Sequence, residues 1–185
     1  MVYEEFRDNL RKLLEGDKAI ASSPLIVGRP STILTECGAK AEQDITITKK
    51  IIDKAMRPEI RDENGRMTGN TGHGLTETQI IAALIELECP IMVFKGRQES
   101  SILVITNILD YKRRNIVVAI ELGKIEGFNQ VNSIRSLYGR DNILKYIGDG
   151  IESGNLLAAR KQKADELLRS IGKSYPKENT FISYE

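Results

Sequence analysis

The sequence predicts an α+β fold: N-terminal helices packed on a small antiparallel β-sheet with helical insertions. Three observations carry that reading. Apolar residues recur at helical spacing in the N-terminal half, as in Phe6, Leu10, Leu13 and Leu14. The period then changes, and residues 91–95, 101–106 and 115–122 are runs rich in Ile, Val and Leu. The turns between these runs, Gly96-Arg97-Gln98-Glu99 and Asp110-Tyr111-Lys112-Arg113-Arg114, are of hairpin length, which joins antiparallel neighbours.

Taken in order, residues 2–15 form an amphipathic helix stopped by Gly16, and Ser22-Ser23-Pro24 and Gly28-Arg29-Pro30 break regular structure after it. Ser31 or Pro30 opens a short helix from Thr32 to Cys37, ended by Gly38. Residues 44–48 are a short extended lead-in, with Thr48 capping a helix through Ala55. Residues 58–72 are the longest polar loop. Thr76 and Gln79 have capping-box spacing for a helix built on Ile80, Ile81, Leu84, Ile85 and Leu87 and ended by Cys89-Pro90. Beyond the three strands, residues 131–139 read as a turn or short helical piece. Asp141 then caps a helix carrying Ile143, Leu144 and Ile147. Residues 155–159 are a further strand, 162–171 a helix ended by Gly172, and 180–183 a last strand.

Composition narrows the function classes. With 185 residues, 41% hydrophobic and 29% charged, the chain suits one globular domain with a real core, and the absence of tryptophan leaves that core to Ile, Leu, Val and Ala. No run approaches the roughly 18 apolar residues of a membrane span, and the N-terminus is acidic where a signal peptide is basic and apolar, so no membrane association and a cytoplasmic location are expected. Cys37 and Cys89 lack metal-ligand spacing and are expected as reduced thiols, with no metal and no cofactor. Net charge is only +1, acidic in residues 1–90 and basic in residues 91–185, which permits a nucleic-acid surface on the C-terminal half without demanding one.

The single histidine, His73, stands between Gly72 and Gly74 just before the capping box. Imidazole titrates near neutral pH, and flanking glycines suit its presentation at the surface of a turn, so His73 is a candidate acid or base expected to be exposed. Lys49, Lys50 and Lys54 cluster on one short helix, a candidate phosphate-binding face or simply a solvated one. Lys112-Arg113-Arg114 reads as a solubilising hairpin tip. Glycine-rich nucleotide loops and Ser-His-Asp relays are absent from the sequence pattern.

Gly28-Arg29-Pro30-Ser31-Thr32-Ile33-Leu34, His73-Gly74-Leu75, Cys89-Pro90-Ile91-Met92-Val93-Phe94-Lys95, Ser101–Thr106, Val131–Asn142 and Gly154-Asn155-Leu156-Leu157 occur in an order and spacing similar to one phage family. The chain resembles the phage MuF C-terminal domain family, which is assigned to the nuclease superfamily of barnase, EndoU, colicin tRNases and RelE. The resemblance covers about residues 24–185, making residues 1–23 an added helical arm and linker. It implies N-terminal helices on a four-stranded antiparallel sheet and RNA cleavage without metal.

That chemistry needs a base for the 2′-hydroxyl, an acid for the departing 5′-oxygen and a cation for the phosphate. His73 suits the first or second role, Arg140 the phosphate, and Tyr138 and Ser136 suit donation of hydrogen bonds or, for Tyr138, base stacking. Arg135, Lys50 and Lys54 are candidate substrate-binding residues. An architectural reading of the same stretch has Tyr138 packing, Gly139 turning, and Asp141 capping a helix while pairing with Arg140. Two functions compete: an RNase-like toxin or effector in a bacterial host cell, with RNA as partner, and an inactive domain of the same fold that binds and inhibits a host, phage or immunity protein.

Overall fold

The computed structural model describes residues 4–69, 71–170, 172, 174 and 181–185. The fold is α+β, with one eight-stranded mixed sheet between two layers of helices. The strands are β1 (Leu25–Gly28), β2 (Ile45–Ile47), β3 (Met92–Lys95), β4 (Ser101–Leu109), β5 (Asn115–Glu126), β6 (Asn129–Gly139), β7 (Leu156–Arg160) and β8 (Ile182–Tyr184), and their spatial order is β1-β2-β6-β5-β4-β3-β7-β8. The expected antiparallel succession β3-β4-β5 is present. The sheet as a whole is larger than expected and not wholly antiparallel, because β2 pairs parallel with β6 and β8 pairs parallel with β7.

One face of the sheet carries α1 (Glu4–Leu14), α3 (Thr32–Glu36), α4 (Lys49–Met56) and α5 (Glu77–Ile85). Phe6, Leu10 and Leu13 of α1 are buried in the same core as Val27, Ile47, Val104, Val118 and Ile134. The short helix α2 (Lys18–Ala21) is capped by Asp17, whose side chain accepts from two backbone amides. The opposite face carries α6 (Ile143–Glu152) and α7 (Lys161–Ser170), whose Ile147, Ile151, Ala164 and Leu168 pack on Phe94, Leu103, Ile105 and Val117. Neighbours along a strand therefore separate by face, Val104 and Val118 to the first core, Ile105 and Val117 to the second. Gly150 lets α6 approach the sheet, since a Cβ there would stand 2.7 Å from the Phe94 ring.

Local signals were obeyed where they were strong. Thr76 and Gln79 form the capping box, with reciprocal bonds of 3.2 and 3.0 Å. Ser31 caps α3. Thr48 occupies the cap position of α4 but makes no side-chain capping bond. Asn142, in left-handed conformation, precedes α6 in place of the expected Asp141. The expected break between Pro24 and Pro30 instead contains the strand β1.

The largest correction is β6, a strand where a turn or helical piece was expected. Ile134 and Leu137 are three residues apart yet share one core, which reads locally as helical spacing. A β-bulge is the cause: Ile120 pairs with Ile134 and Ala119 with Ser136, so Arg135 is the extra residue and the alternation shifts phase there. Residues 2 and 3, at the start of the expected first helix, and residues 171 and 180, at expected element ends, lie outside the described residues. Among the described residues no helix is long and apolar enough to cross a membrane, and Cys37 and Cys89 are free thiols.

Leu10 is fully buried. Leu10→Ala should lower stability in urea unfolding by about 2–5 kcal/mol, as for a core cavity. A change of a few tenths would show that α1 contributes nothing to the core.

Candidate functional site

Helices α6 and α7 cover only part of the second sheet face, and the remainder forms a cleft of about 460 Å³. Its walls come from the β3–β4 turn (Arg97, Gln98), the middle of β5, the end of β6 (Arg135, Tyr138), Arg140 and Tyr146 of α6. The β6 bulge is what brings Arg135 to this cleft along with Tyr138.

Arg140 is held between two rings. Its guanidinium lies 3.8 Å from the centre of Tyr146 and donates a 2.9 Å hydrogen bond to the Tyr138 hydroxyl. No carboxylate among the described residues pairs with it, so a half-buried, fixed cation keeps unused donors beside a concavity. Arg135 is more exposed and pairs with Glu121 of β5 at 3.3 Å. Ser136 pairs across the ladder with Ala119, which lines the cleft, but is not itself part of the lining.

His73 is not exposed. It is 9% accessible, its Nε2 has no hydrogen-bond partner, and its ring packs against Tyr138 with centroids 5.3 Å apart. The flanking glycines serve close packing instead of exposure. Backbone N–H groups of Gly72, His73, Gly74 and Leu75 donate to the carbonyls of Pro58, Lys54, Arg57 and Ala55, satisfying the open end of α4. A Cβ on Gly72 would stand 2.0 Å from the Arg57 carbonyl oxygen. Burial, reinforced by the positive charge of Lys54, lowers the His73 pKa from 6.5 to about 4, so the ring is neutral at pH 7. Lys50 and Lys54 are exposed on α4 and lie outside the cleft lining.

Behind His73 lies a charge cluster that sequence reasoning missed. The Glu59 carboxylate is fully buried and accepts from Arg61, Lys112 and Arg114 at 2.5, 2.6 and 2.7 Å. Burial alone would raise its pKa, but those three donors pull it down to about 2. Arg114, also bonded to Asp110 and Asp141, is nearly buried, so the expected solubilising tip is in fact a tie point. Asp141 pairs with Arg114 and Arg61, not with Arg140 as the architectural reading had it. The available signal was Glu59 and Asp110, acids in loops rich in arginine, but nothing in sequence order pairs residues 55 apart. Arg97 and Tyr146, which line the cleft, were missed likewise, as was Glu121, which is outside the lining and reaches it through its pair with Arg135. Among the described residues no group of His, Cys, Asp and Glu is arranged to hold a metal.

The unfolded chain protonates His73 near pH 6.5, whereas the folded ring resists until about pH 4. Stability contributed by the neutral ring is therefore complete above pH 6.5 and lost as pH falls through 4. The urea midpoint should drop between pH 7 and pH 4.5, and drop less in His73→Phe. Equal drops in both proteins would contradict the burial assigned to His73.

Neither a curated protein nor a solved structure matches the chain. A family model does: it begins in the loop before His73, spans β3 to β7 with Glu121, the β6 bulge, Tyr138, Arg140 and Tyr146, and ends within α7. Because that match takes in residues 66–166, more than half of the sequence, the chain belongs to the phage MuF-C-terminal domain family.

Proposed function

We propose that this chain is an RNA-cleaving effector of a phage or other mobile element, acting in the bacterial cytoplasm, with the arginine cleft as its active site. The observation that carries the reading is Arg140: a guanidinium fixed by Tyr138 and Tyr146, without a carboxylate partner among the described residues, facing a concavity that Arg135 and Arg97 also line. A guanidinium fork matches a phosphate, and aromatic rings beside it offer stacking for an unpaired base.

In this scheme the Glu121 carboxylate takes the proton of the 2′-hydroxyl and the freed oxygen attacks phosphorus. The bond to the 5′-oxygen breaks, and that oxygen takes the Tyr138 hydroxyl proton. The products are a 2′,3′-cyclic phosphate and a 5′-hydroxyl, and a water relays the Glu121 proton back to Tyr138. Arg140 and Arg135 stabilise the charge that grows on the phosphate. His73 acts as a positioning residue, its neutral ring packed on Tyr138. Lys50 and Lys54 are proposed as outlying contacts to the RNA backbone. The competing reading, a domain that binds and inhibits a protein partner without cleaving, is favoured by exposed Ile125 and Phe128 at the far end of the β5–β6 hairpin.

The test is cleavage of total bacterial RNA with chelator present. Arg140→Ala and Glu121→Gln should each lower the rate by at least about a hundredfold with unchanged urea midpoints. His73→Phe, which keeps a ring against Tyr138, should retain more activity than His73→Ala; equal losses would make His73 a proton-transfer group instead. Intact RNA with wild-type protein, or variants that cut as fast as wild type, would overturn the proposal.

A further inference from the structure

A concavity larger than the arginine cleft stands apart from it. It measures about 710 Å³ and lies at the other end of the β5–β6 hairpin, between the hairpin tip, β1 and the segment before β2. A second hollow of about 380 Å³ shares Pro24, Ile26, Arg29 and Asp44 with it and reaches Glu5 of α1, so the two form one groove.

The groove is chemically unlike the cleft. Phe128 is fully exposed on the hairpin tip, and Ile26 beside it is 48% exposed. Two large apolar side chains thus share one rim, the start of the contiguous apolar exposure found at contact surfaces. The charges in the groove separate into used and unused. Arg29 is paired with Asp44 at 2.9 Å, and Glu126 is bonded by Lys124, Ser133 and Thr46. The carboxylates of Glu42 and Glu5 are exposed and form no ion pair among the described residues, the Arg29 guanidinium reaching only the main-chain carbonyl of Glu42, so the unused charge is negative. Gln43, only 6% exposed, lies in the groove wall, where its Nε2 donates to Gln130 Oε1 at 3.0 Å and ties the lead-in of β2 to the hairpin.

We infer that this groove docks an extended segment of a partner protein in which a lysine or arginine neighbours a large apolar side chain. The apolar side chain lies against Phe128 and Ile26, and the cation meets the Glu42 carboxylate. Asn129 and Gln130, also in the lining, offer amides to the peptide backbone. RNA is not the occupant, because unpaired carboxylates repel phosphate. The inference is independent of whether the arginine cleft cleaves RNA, since no residue of that cleft takes part.

Binding is tested by fluorescence anisotropy with two labelled octapeptides, one alternating lysine and leucine, the other glutamate and leucine, on the full chain. The lysine peptide should bind saturably and at least about tenfold more tightly than the glutamate peptide, an attraction that weakens with salt. Glu42→Lys and Phe128→Ser, both at exposed positions, should each weaken it at least about fivefold while leaving the urea midpoint and binding of oligouridylate unchanged. Equal affinity for the two peptides, variants that bind like wild type, or displacement of the lysine peptide by oligouridylate would each overturn the inference.

Discussion

The architecture depends on the burial of Arg114. Its guanidinium is held by Glu59, Asp110 and Asp141, acids that belong to three separate parts of the chain: the connection after α4, the β4–β5 turn and the corner between β6 and α6. Taking such charges out of water costs several kcal/mol per ion, and only complete pairing offsets it. The pairing here is complete enough to hold Glu59 ionised far below the usual carboxylate range. Gly139 sits within this knot, where a Cβ would stand 2.0 Å from an Asp110 oxygen, so the strand end bearing Tyr138 and Arg140 is pinned directly against it.

From that tie point the positions of the site residues follow. Segment 72–75 lies across the carbonyl end of α4, which sets His73 behind Tyr138. Tyr138 in turn receives the Arg140 hydrogen bond, and Tyr146 supports the same guanidinium from α6. The bulge at Arg135 turns a second arginine toward the same hollow. A half-covered sheet face thus becomes a basic, aromatic cleft, whereas the far end of the same hairpin carries an exposed phenylalanine beside the acidic Glu42 of the segment before β2. One hairpin, twisted by bulges, presents two surfaces of opposite chemistry.

Much of the fold was legible in the sequence because its signals were local. The capping box of α5, the three consecutive antiparallel strands and the amphipathic stripe of α1 all stand where propensity and period place them. The failures have a common physical origin in pairing that sequence order hides. Strand β6 was obscured because a single inserted residue shifts the alternation, and the parallel β2–β6 pairing joins segments whose partners, such as Ile45 and Asn132, are far apart in the chain. At the site, Tyr138, Arg135 and Arg140 were legible and do share a cleft. Two glycines around His73 suggested exposure, yet they permit burial against α4. Glu59 and Arg114 looked like solvated loop charges, and only the tertiary fold makes them the buried pair on which the rest is hung.

The proposed RNA cleft requires that Arg140 seat a phosphate. Titration of isotopically labelled protein with a short 2′-O-methyl oligoribonucleotide, which binds without being cut, tests it directly by nuclear magnetic resonance. Saturable shifts of the Arg140 side-chain Nε–H resonance and of backbone amides in residues 135–140 and 96–98 are expected. Shifts confined to Lys50, Lys54 and their helix, or to the hairpin tip around Phe128, would contradict it.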